Sequence, residues 1–201
     1  MLCLFLFIAG LSSCNGGLST FSQDIKKEEK VAYKLFVSKN ELDLRPNEGL
    51  VYHVNKPFTG TSFSFYHDEK TDTAEVIQYF NGKKHGYQKK WFEGNMLSFE
   101  AQYSHGKLNG KVKTWWKNSL IRSESNYEKG ISQGLQLQWY KSGMKFKERN
   151  LVAGKEEGLQ RAWRENGKIY NNYEAKNGRI FGLKRSSLCY ELEDEIIQYK
   201  E

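Results

Sequence analysis

Residues 81–104 read NGKKHGYQKKWFEGNMLSFEAQYS, and the next three stretches of 24 residues follow the same pattern: HGKLNGKVKTWWKNSLIRSESNYE, KGISQGLQLQWYKSGMKFKERNLV and AGKEEGLQRAWRENGKIYNNYEAK. A fifth copy begins at Asn177. The residues in register are the first glycines Gly82, Gly106, Gly130, Gly154 and Gly178, the second glycines Gly86, Gly110, Gly134, Gly158 and Gly182, and the tryptophans Trp91, Trp115, Trp139 and Trp163. A fixed period of this length indicates stacked supersecondary units.

Each unit is predicted to be a β-hairpin. Leu135, Leu137 and Trp139 alternate with polar neighbours, which is typical of a strand. Pairs such as Asn166-Gly167 follow and favour a two-residue turn, because both residue types accept positive φ. The other predicted turn pairs are Gly94-Asn95, Asn118-Ser119 and Ser142-Gly143. A second strand then returns to a Gly-x-x-x-Gly corner. We therefore predict an all-β fold, a single elongated domain made of an antiparallel meander of repeated hairpins, about twelve strands wide.

The pattern resembles the MORN repeat in its bacterial MORN-variant form. The resemblance rests on the Gly-x-x-x-Gly corner, the aromatic residue five positions later, the Asn-Gly type of turn, and a tyrosine such as Tyr103 or Tyr127 near the end of the second strand. It covers roughly residues 49–189. Proteins of this type include the YwqK-family antitoxins, so the resemblance implies a hairpin-repeat fold and little chemistry.

The N-terminal residues predict a cell-envelope protein. Residues 1–13 read as a signal peptide, because the apolar run is too short to span a membrane. Residues 11–14, LSSC, resemble a bacterial lipobox, which would make Cys14 the lipidated first residue of the mature chain. We predict a lipid-anchor tether over 14–44, a repeat domain over 45–190 with the clearest repeats in 82–182, and an acidic tail over 191–201. A plain cleaved signal or an apolar N-terminal segment is the alternative.

The first unit is less regular than the later ones. Residues 50–54 predict a strand, 55–57 a turn, and 58–66 a second strand, in which Gly60 and Phe65 keep the spacing of Gly86 and Trp91. A polar loop over 67–73 then precedes a return strand over 74–80. Residues 31–44 contain alternating patches that predict either an edge strand or a loose segment.

Positive charge is concentrated in the repeats. Residues 81–182 contain 20 Lys and Arg against nine Asp and Glu, a net charge of +11. Lys89, Lys113 and Arg161 each lie two residues before a tryptophan, which predicts a basic line across the strands for an anionic partner. The alternative is a solvated sheet surface. Three periodic glutamates, Glu100, Glu124 and Glu148, are expected to pair with Lys and Arg on neighbouring strands.

Catalytic and cofactor signatures are weak. Residues 130–134 match G-x-S-x-G by letters, but that motif needs a strand–turn–helix setting, and Ser132 lies in an ordinary repeat corner. Outside the leader and Cys14 only Cys189 remains, which excludes an intrachain disulfide or a site of several cysteines in the mature chain. We predict no enzyme activity, no metal and no cofactor. The tryptophan row is expected to be structural, with a stacking platform as the alternative.

The sequence thus predicts a non-enzymatic binding or scaffold protein tethered to the bacterial envelope by its lipid anchor. Its partner is expected to be a protein or an anionic envelope component, and nucleic acid is an unlikely partner. One alternative is an antitoxin-like protein that neutralises a partner toxin. A weaker alternative is a hydrolase of envelope polymers, for which no nucleophile–base pair is evident.

Overall fold

The computed structural model describes residues 33–67 and 71–184, which are almost entirely strands and turns. The strands are β1 (Phe36–Ser38), β2 (Asp43–Arg45), β3 (Leu50–His53), β4 (Lys56–Pro57), β5 (Gly60–Phe65), β6 (Thr73–Phe80), β7 (Lys83–Phe92), β8 (Met96–Ser104), β9 (Lys107–Trp115), β10 (Ile121–Glu128), β11 (Ile131–Ser132), β12 (Gly134–Trp139), β13 (Lys145–Val152), β14 (Lys155–Glu156), β15 (Gly158–Trp163), β16 (Ile169–Lys176) and β17 (Arg179–Leu183). The predicted leader 1–13, Cys14, Cys189 and the tail 191–201 lie outside the described residues.

The predicted all-β meander is confirmed. Twelve strands follow one another across a large sheet in the order β1-β5-β6-β7-β8-β9-β10-β12-β13-β15-β16-β17, with β11 and β14 paired beside β10 and β13. All its pairings are antiparallel except β1 with β5. Because the repeats form a meander, the hairpin turns lie along one edge of the sheet, here called the turn edge. The Gly-x-x-x-Gly connections lie along the opposite edge, here called the corner edge.

The hairpin turns are longer than predicted. In the third repeat the Gly143 N–H donates to the Tyr140 carbonyl, and the Tyr140 N–H donates to the Met144 carbonyl. Three residues therefore form the loop, and its last residue, Gly143, has a φ of 89°. This is the three-residue hairpin in which a left-handed residue follows a type I turn. The second and fourth repeats close in the same way, so the prediction of two-residue turns is wrong at these positions.

A β-bulge accompanies every described hairpin that closes at the turn edge. The register shifts just before Phe65, Trp91, Trp139 and Trp163, and at the Ile121–Ser123 step opposite Trp115. Each shift leaves one extra residue on the return strand, which increases the local twist of the sheet. The bulge therefore belongs to the repeat, although the sequence pattern gave no sign of it.

The first unit departs from the prediction. Strands β2, β3 and β4 form a separate three-stranded sheet, closed by a tight turn at Val54 and Asn55, both of which have positive φ. Pro57 cannot donate a ladder hydrogen bond, and β4 ends there. Residues 50–57 are therefore not the first hairpin of the large sheet. The outermost strand of the large sheet at this side is β1. It belongs to residues 31–44, for which the sequence predicted either an edge strand or a loose segment.

The apolar core lies where the small sheet packs on the large one. Val37, Phe58, Ile77 and Tyr79 are buried there, and Leu42 and Val51 pack against them. Backbone hydrogen bonds join the two sheets: the Val51 N–H donates to the Gly82 carbonyl, and the Gly82 N–H donates to the Phe58 carbonyl. The small sheet therefore fixes the position of the first repeat corner.

A search of residues 33–67 and 71–184 for an apolar helix of membrane-spanning length found none.

Candidate functional site

Charged side chains of both signs form a row across one face of the large sheet. Residues directly opposite each other in an antiparallel pair share a face, and the register partners run from strand to strand in an unbroken series. In order across the sheet they are Val76, Lys89, Glu100, Lys113, Glu124, Leu137, Glu148, Arg161 and Asn172. We call this side the charged face.

Each predicted basic residue has an acidic neighbour in this row. Lys89 Nζ lies 3.2 Å from Glu100 Oε1, and Lys113 Nζ lies 2.9 Å from Glu124 Oε1. Arg161 Nη2 donates to Glu148 Oε2 at 2.7 Å. The expected pairing of the periodic glutamates is therefore confirmed. The three basic residues lie in one row, as expected, but a carboxylate lies between successive cations and offsets much of their field at a distance. Their role as a surface for an anionic partner stays a prediction.

The opposite face has buried glutamines at the repeat period, and we call it the glutamine face. Gln88, Gln136 and Gln160 each lie three residues before a tryptophan, and they are 3%, 5% and 2% exposed. The side-chain amide of Gln136 donates to the carbonyls of Asn126, Gln133 and Gly134. Gln160 makes the equivalent contacts one repeat later. These two buried amides therefore find their hydrogen-bond partners among the carbonyls of the corners.

The corners are joined to one another along the corner edge. The residue before each first glycine has a φ of +47° to +53°, and its N–H donates to a side chain of the preceding repeat. The pairs are Asn81 to Thr59, His105 to His85, Lys129 to Asn109, Ala153 to Gln133 and Asn177 to Glu157. Two of the four histidines therefore occupy repeat positions, with His85 as the acceptor and His105 as the left-handed residue.

The second glycine of each corner has a geometric reason to be glycine. Gly86, Gly110, Gly134 and Gly158 have φ values of 85°, 113°, 72° and 80°, which disfavour any residue with a Cβ. At Gly86 a Cβ would also lie 2.2 Å from Gln78 Oε1, and at Gly110 it would lie 2.8 Å from Gln102 Oε1. Gln78 Oε1 accepts the Tyr87 N–H at 3.0 Å, so the corner at Gly86 uses this space for a hydrogen bond.

A second aromatic column joins the repeats along the turn edge. It occupies the position after the tryptophan row: Tyr66, Phe92, Trp116 and Tyr140. Tyr66 Oη donates to the Trp91 carbonyl, Trp116 Nε1 to the Trp139 carbonyl, and Tyr140 Oη to the Trp163 carbonyl, at 2.6, 3.2 and 2.9 Å. The sequence analysis missed this column, although aligning the repeats displays it.

The tryptophan row itself is only partly buried. Trp91, Trp115, Trp139 and Trp163 are all of intermediate exposure, whereas the residues buried most completely in the repeats are small or amide side chains such as Ala101, Ala162 and Gln160. The rings therefore cover one face of the sheet and keep part of their surface open to solvent. Their structural role remains a prediction. Each ring buries less apolar area than a fully buried tryptophan would, so its contribution to stability should be smaller.

Two neighbouring repeats form an aromatic groove near the turn edge, and this groove is the candidate site. Its volume is about 500 Å³, and it is lined by Thr114, Trp116, Arg122, Ser123, Gln138, Trp139, Tyr140 and Phe146. The Arg122 guanidinium lies 4.6 Å from the centre of the Trp116 ring. Thr114 Oγ1 and Ser123 Oγ are hydrogen-bonded at 2.6 Å. Aromatic rings, hydroxyls, an amide and a guanidinium thus meet in one groove.

Ser132 does not lie in the setting of a catalytic elbow. It ends the two-residue strand β11, which pairs with Tyr127 and Glu128, and its carbonyl accepts the Gly154 N–H. Over residues 33–67 and 71–184 no cluster of three or more His, Cys, Asp or Glu side chains is placed to hold a metal ion.

No protein-family model matches the chain, and no curated protein matches its sequence.

Proposed function

We propose that this chain is a non-enzymatic binding protein of the bacterial envelope, of the MORN-variant repeat type and anchored through Cys14, whose aromatic groove binds an acidic polysaccharide. The observation that carries the proposal is the groove formed by Trp116, Tyr140 and Arg122 between the second and third repeats. The leader and the lipobox-like residues 11–14 support the envelope location.

The chemistry of the groove suits a sugar acid. Aromatic side chains offer flat apolar faces that stack on rings, and Thr114, Ser123 and Gln138 offer donors and acceptors for hydroxyl groups. A guanidinium binds a carboxylate through two parallel hydrogen bonds. Arg122 has no carboxylate partner among the residues that the structure describes, so its donors remain available to a ligand.

The groove is held rigidly by the fold. Trp116 and Tyr140 are both fixed by hydrogen bonds to backbone carbonyls of the following repeat. A ring that is already ordered loses less conformational entropy on binding than a mobile one. The two rings are therefore oriented before a ligand arrives.

The test measures binding of the full chain, held in phosphatidylcholine nanodiscs, to polygalacturonate and to neutral dextran. Tryptophan fluorescence reports the groove directly. We expect saturable binding of polygalacturonate that Arg122→Met weakens by about tenfold, because a hydrogen bond to a charged group contributes about 1.5 kcal/mol or more. The matched control is Arg179→Met, an exposed arginine on β17 outside the groove.

Three results would contradict the proposal: no saturable binding at low salt, equal binding of dextran, or equal losses for Arg122→Met and Arg179→Met. The envelope location has its own test. Cys14→Ala should release the protein from membranes or leave an unprocessed precursor, and a wild-type chain that is soluble in the cytoplasm with residues 1–13 retained would favour the antitoxin-like alternative.

A further inference from the structure

A second cavity lies at the corner edge, between the small sheet and the first two repeat corners. Its volume is about 580 Å³, which is within the range of small-molecule sites. The small sheet and the segment before it provide one wall, and the corners around Gly82 and Gly106 provide the other. The cavity therefore exists only because the non-repetitive N-terminal segment packs on the repeats.

One part of the wall is apolar. Leu42 and Val51 extend from the core cluster into the cavity lining, and Tyr79 lies beside them, itself only 6% exposed. Leu44 also lines the cavity and is 62% exposed. An exposed leucine next to buried apolar residues provides surface that a ligand with an apolar body would cover.

The rest of the wall is cationic. Lys39, Lys83, Lys84 and Lys107 line it together with His105, and no aspartate or glutamate is part of the lining. Lys39 is already committed, because its ammonium lies 2.6 Å from Glu75 Oε2. Lys83 and Lys107 have no carboxylate partner within the described part of the chain. Lys83 and Lys107 therefore line the cavity without a carboxylate of the described residues beside them, and Lys84 adds a third cation.

Lys84 is the most enclosed of these cations. Its Nζ donates to Gln88 Oε1 at 2.9 Å and lies 5.1 Å from the centre of the Tyr103 ring. Gln88 in turn donates to Glu75, so the nearest carboxylate is shared with Gln88, Lys39 and Lys90. Burial lowers the pKa of Lys84. An anion bound in the cavity would favour the charged form of Lys84, which burial disfavours.

We propose that this cavity binds a small amphipathic anion, whose carboxylate or phosphate head contacts Lys83, Lys84 and Lys107 and whose apolar body covers Leu42, Leu44 and Val51. The site is separate from the aromatic groove, because the two cavities share no residue. It goes beyond the proposed polysaccharide binding, and either site can exist without the other.

The test is calorimetric titration of the full chain in phosphatidylcholine nanodiscs with octanoate, octyl phosphate, octanol and inorganic phosphate. Empty nanodiscs give the correction for partition into lipid. We expect octanoate and octyl phosphate to bind at one site, and octanol and phosphate to bind at least tenfold more weakly. Lys84→Met should weaken octanoate about tenfold, because it removes a charged hydrogen bond but keeps an apolar stem. Lys111→Met, an exposed lysine on β9 outside the cavity, is the matched control.

Two further variants protect the test against misfolding. Lys107→Met and Leu44→Ala change exposed side chains, so they should leave the melting temperature within a few degrees. Lys107→Met should weaken the binding of octanoate and of octyl phosphate. Leu44→Ala should weaken octanoate binding several-fold and leave the binding of inorganic phosphate unchanged. Equal affinity for octanoate and octanol would overturn the proposal. So would octanoate binding that ignores all three cavity variants, or binding of phosphate as tight as that of octyl phosphate.

Discussion

Replacing the second glycine of a corner by alanine should cost about twice as much at Gly86 as at Gly134. Both glycines have positive φ, 85° and 72°, so alanine meets a left-handed backbone at either position, at a cost of about 1–2 kcal/mol. A Cβ at Gly134 would have no atom within 4 Å. At Gly86 it would lie 2.2 Å from Gln78 Oε1, which accepts the Tyr87 N–H.

The alanine at Gly86 must therefore displace Gln78 as well. Loss of that hydrogen bond adds about 0.5–1.5 kcal/mol, which gives about 1.5–3.5 kcal/mol at Gly86 against about 1–2 kcal/mol at Gly134. Urea unfolding followed by circular dichroism measures both values. A Gln78→Ala background removes Oε1 and Cδ and leaves only the Cβ of residue 78, 3.3 Å from the added Cβ, so Gly86→Ala should then cost close to what Gly134→Ala costs. Equal costs in the wild-type background, or an unchanged difference in the Gln78→Ala background, would refute the reasoning.

Three further predictions concern contacts between repeats. Phe92→Tyr adds the hydroxyl that the second aromatic column lacks at this repeat, and it should raise the free energy of unfolding by about 0.5–1.5 kcal/mol. Tyr140→Phe should lower the free energy of unfolding by a similar amount. Unchanged stability in both variants would show that these hydrogen bonds between repeats do not stabilise the protein. Glu148 is buried, which by itself opposes ionisation, but Lys145 and Arg161 outweigh burial and lower its pKa. A lowered folded-state pKa stabilises the protein above the unfolded pKa, and this contribution is lost as the pH falls through the folded value, so Glu148→Gln should flatten the acid limb of a stability–pH curve. Trp139→Ala should lower the free energy of unfolding by roughly 2 kcal/mol, about half the loss for a fully buried ring. Trp163→Ala should lower it less, because Trp163 lies nearer the end of the array. A lower melting temperature for Trp163→Ala than for Trp139→Ala would contradict this.

The turn edge shows which structural features an alignment of the repeats can predict. The alignment predicts the hairpins, their number and the glycine corners, because each repeat contacts mainly its neighbours and equivalent residues meet equivalent surroundings. It also contains the column Tyr66, Phe92, Trp116 and Tyr140, which aligning the repeats makes visible. The direction in which each ring reaches, to a carbonyl of the next repeat, depends on the bulges, and nothing in the residue pattern marks a bulge.

The charged face shows where the alignment misleads. Lys89, Lys113 and Arg161 occupy one repeat position on β7, β9 and β15, at which β12 has Leu137, and their period alone predicts a basic line. The glutamates between them belong to the intervening strands, so their place in the row is fixed by strand register, to which each bulge adds one residue. The sequence predicts that each glutamate finds a cation. The structure decides that carboxylates lie between successive cations of one row, with Leu137 between Glu124 and Glu148.

Nearest-neighbour contacts are thus determined by the sequence itself, because the 24-residue period places the same residues at every hairpin, corner and strand end. The corner cavity is decided by tertiary structure alone. Its apolar wall comes from residues 42–51, which carry no repeat, and its cations come from corners more than thirty residues later. Contacts between such distant segments follow from the packing of Phe58 and Val51 against Tyr79 and from the hydrogen bonds at Gly82. No local periodicity specifies that packing, because burial of apolar surface is non-directional and depends on the whole fold.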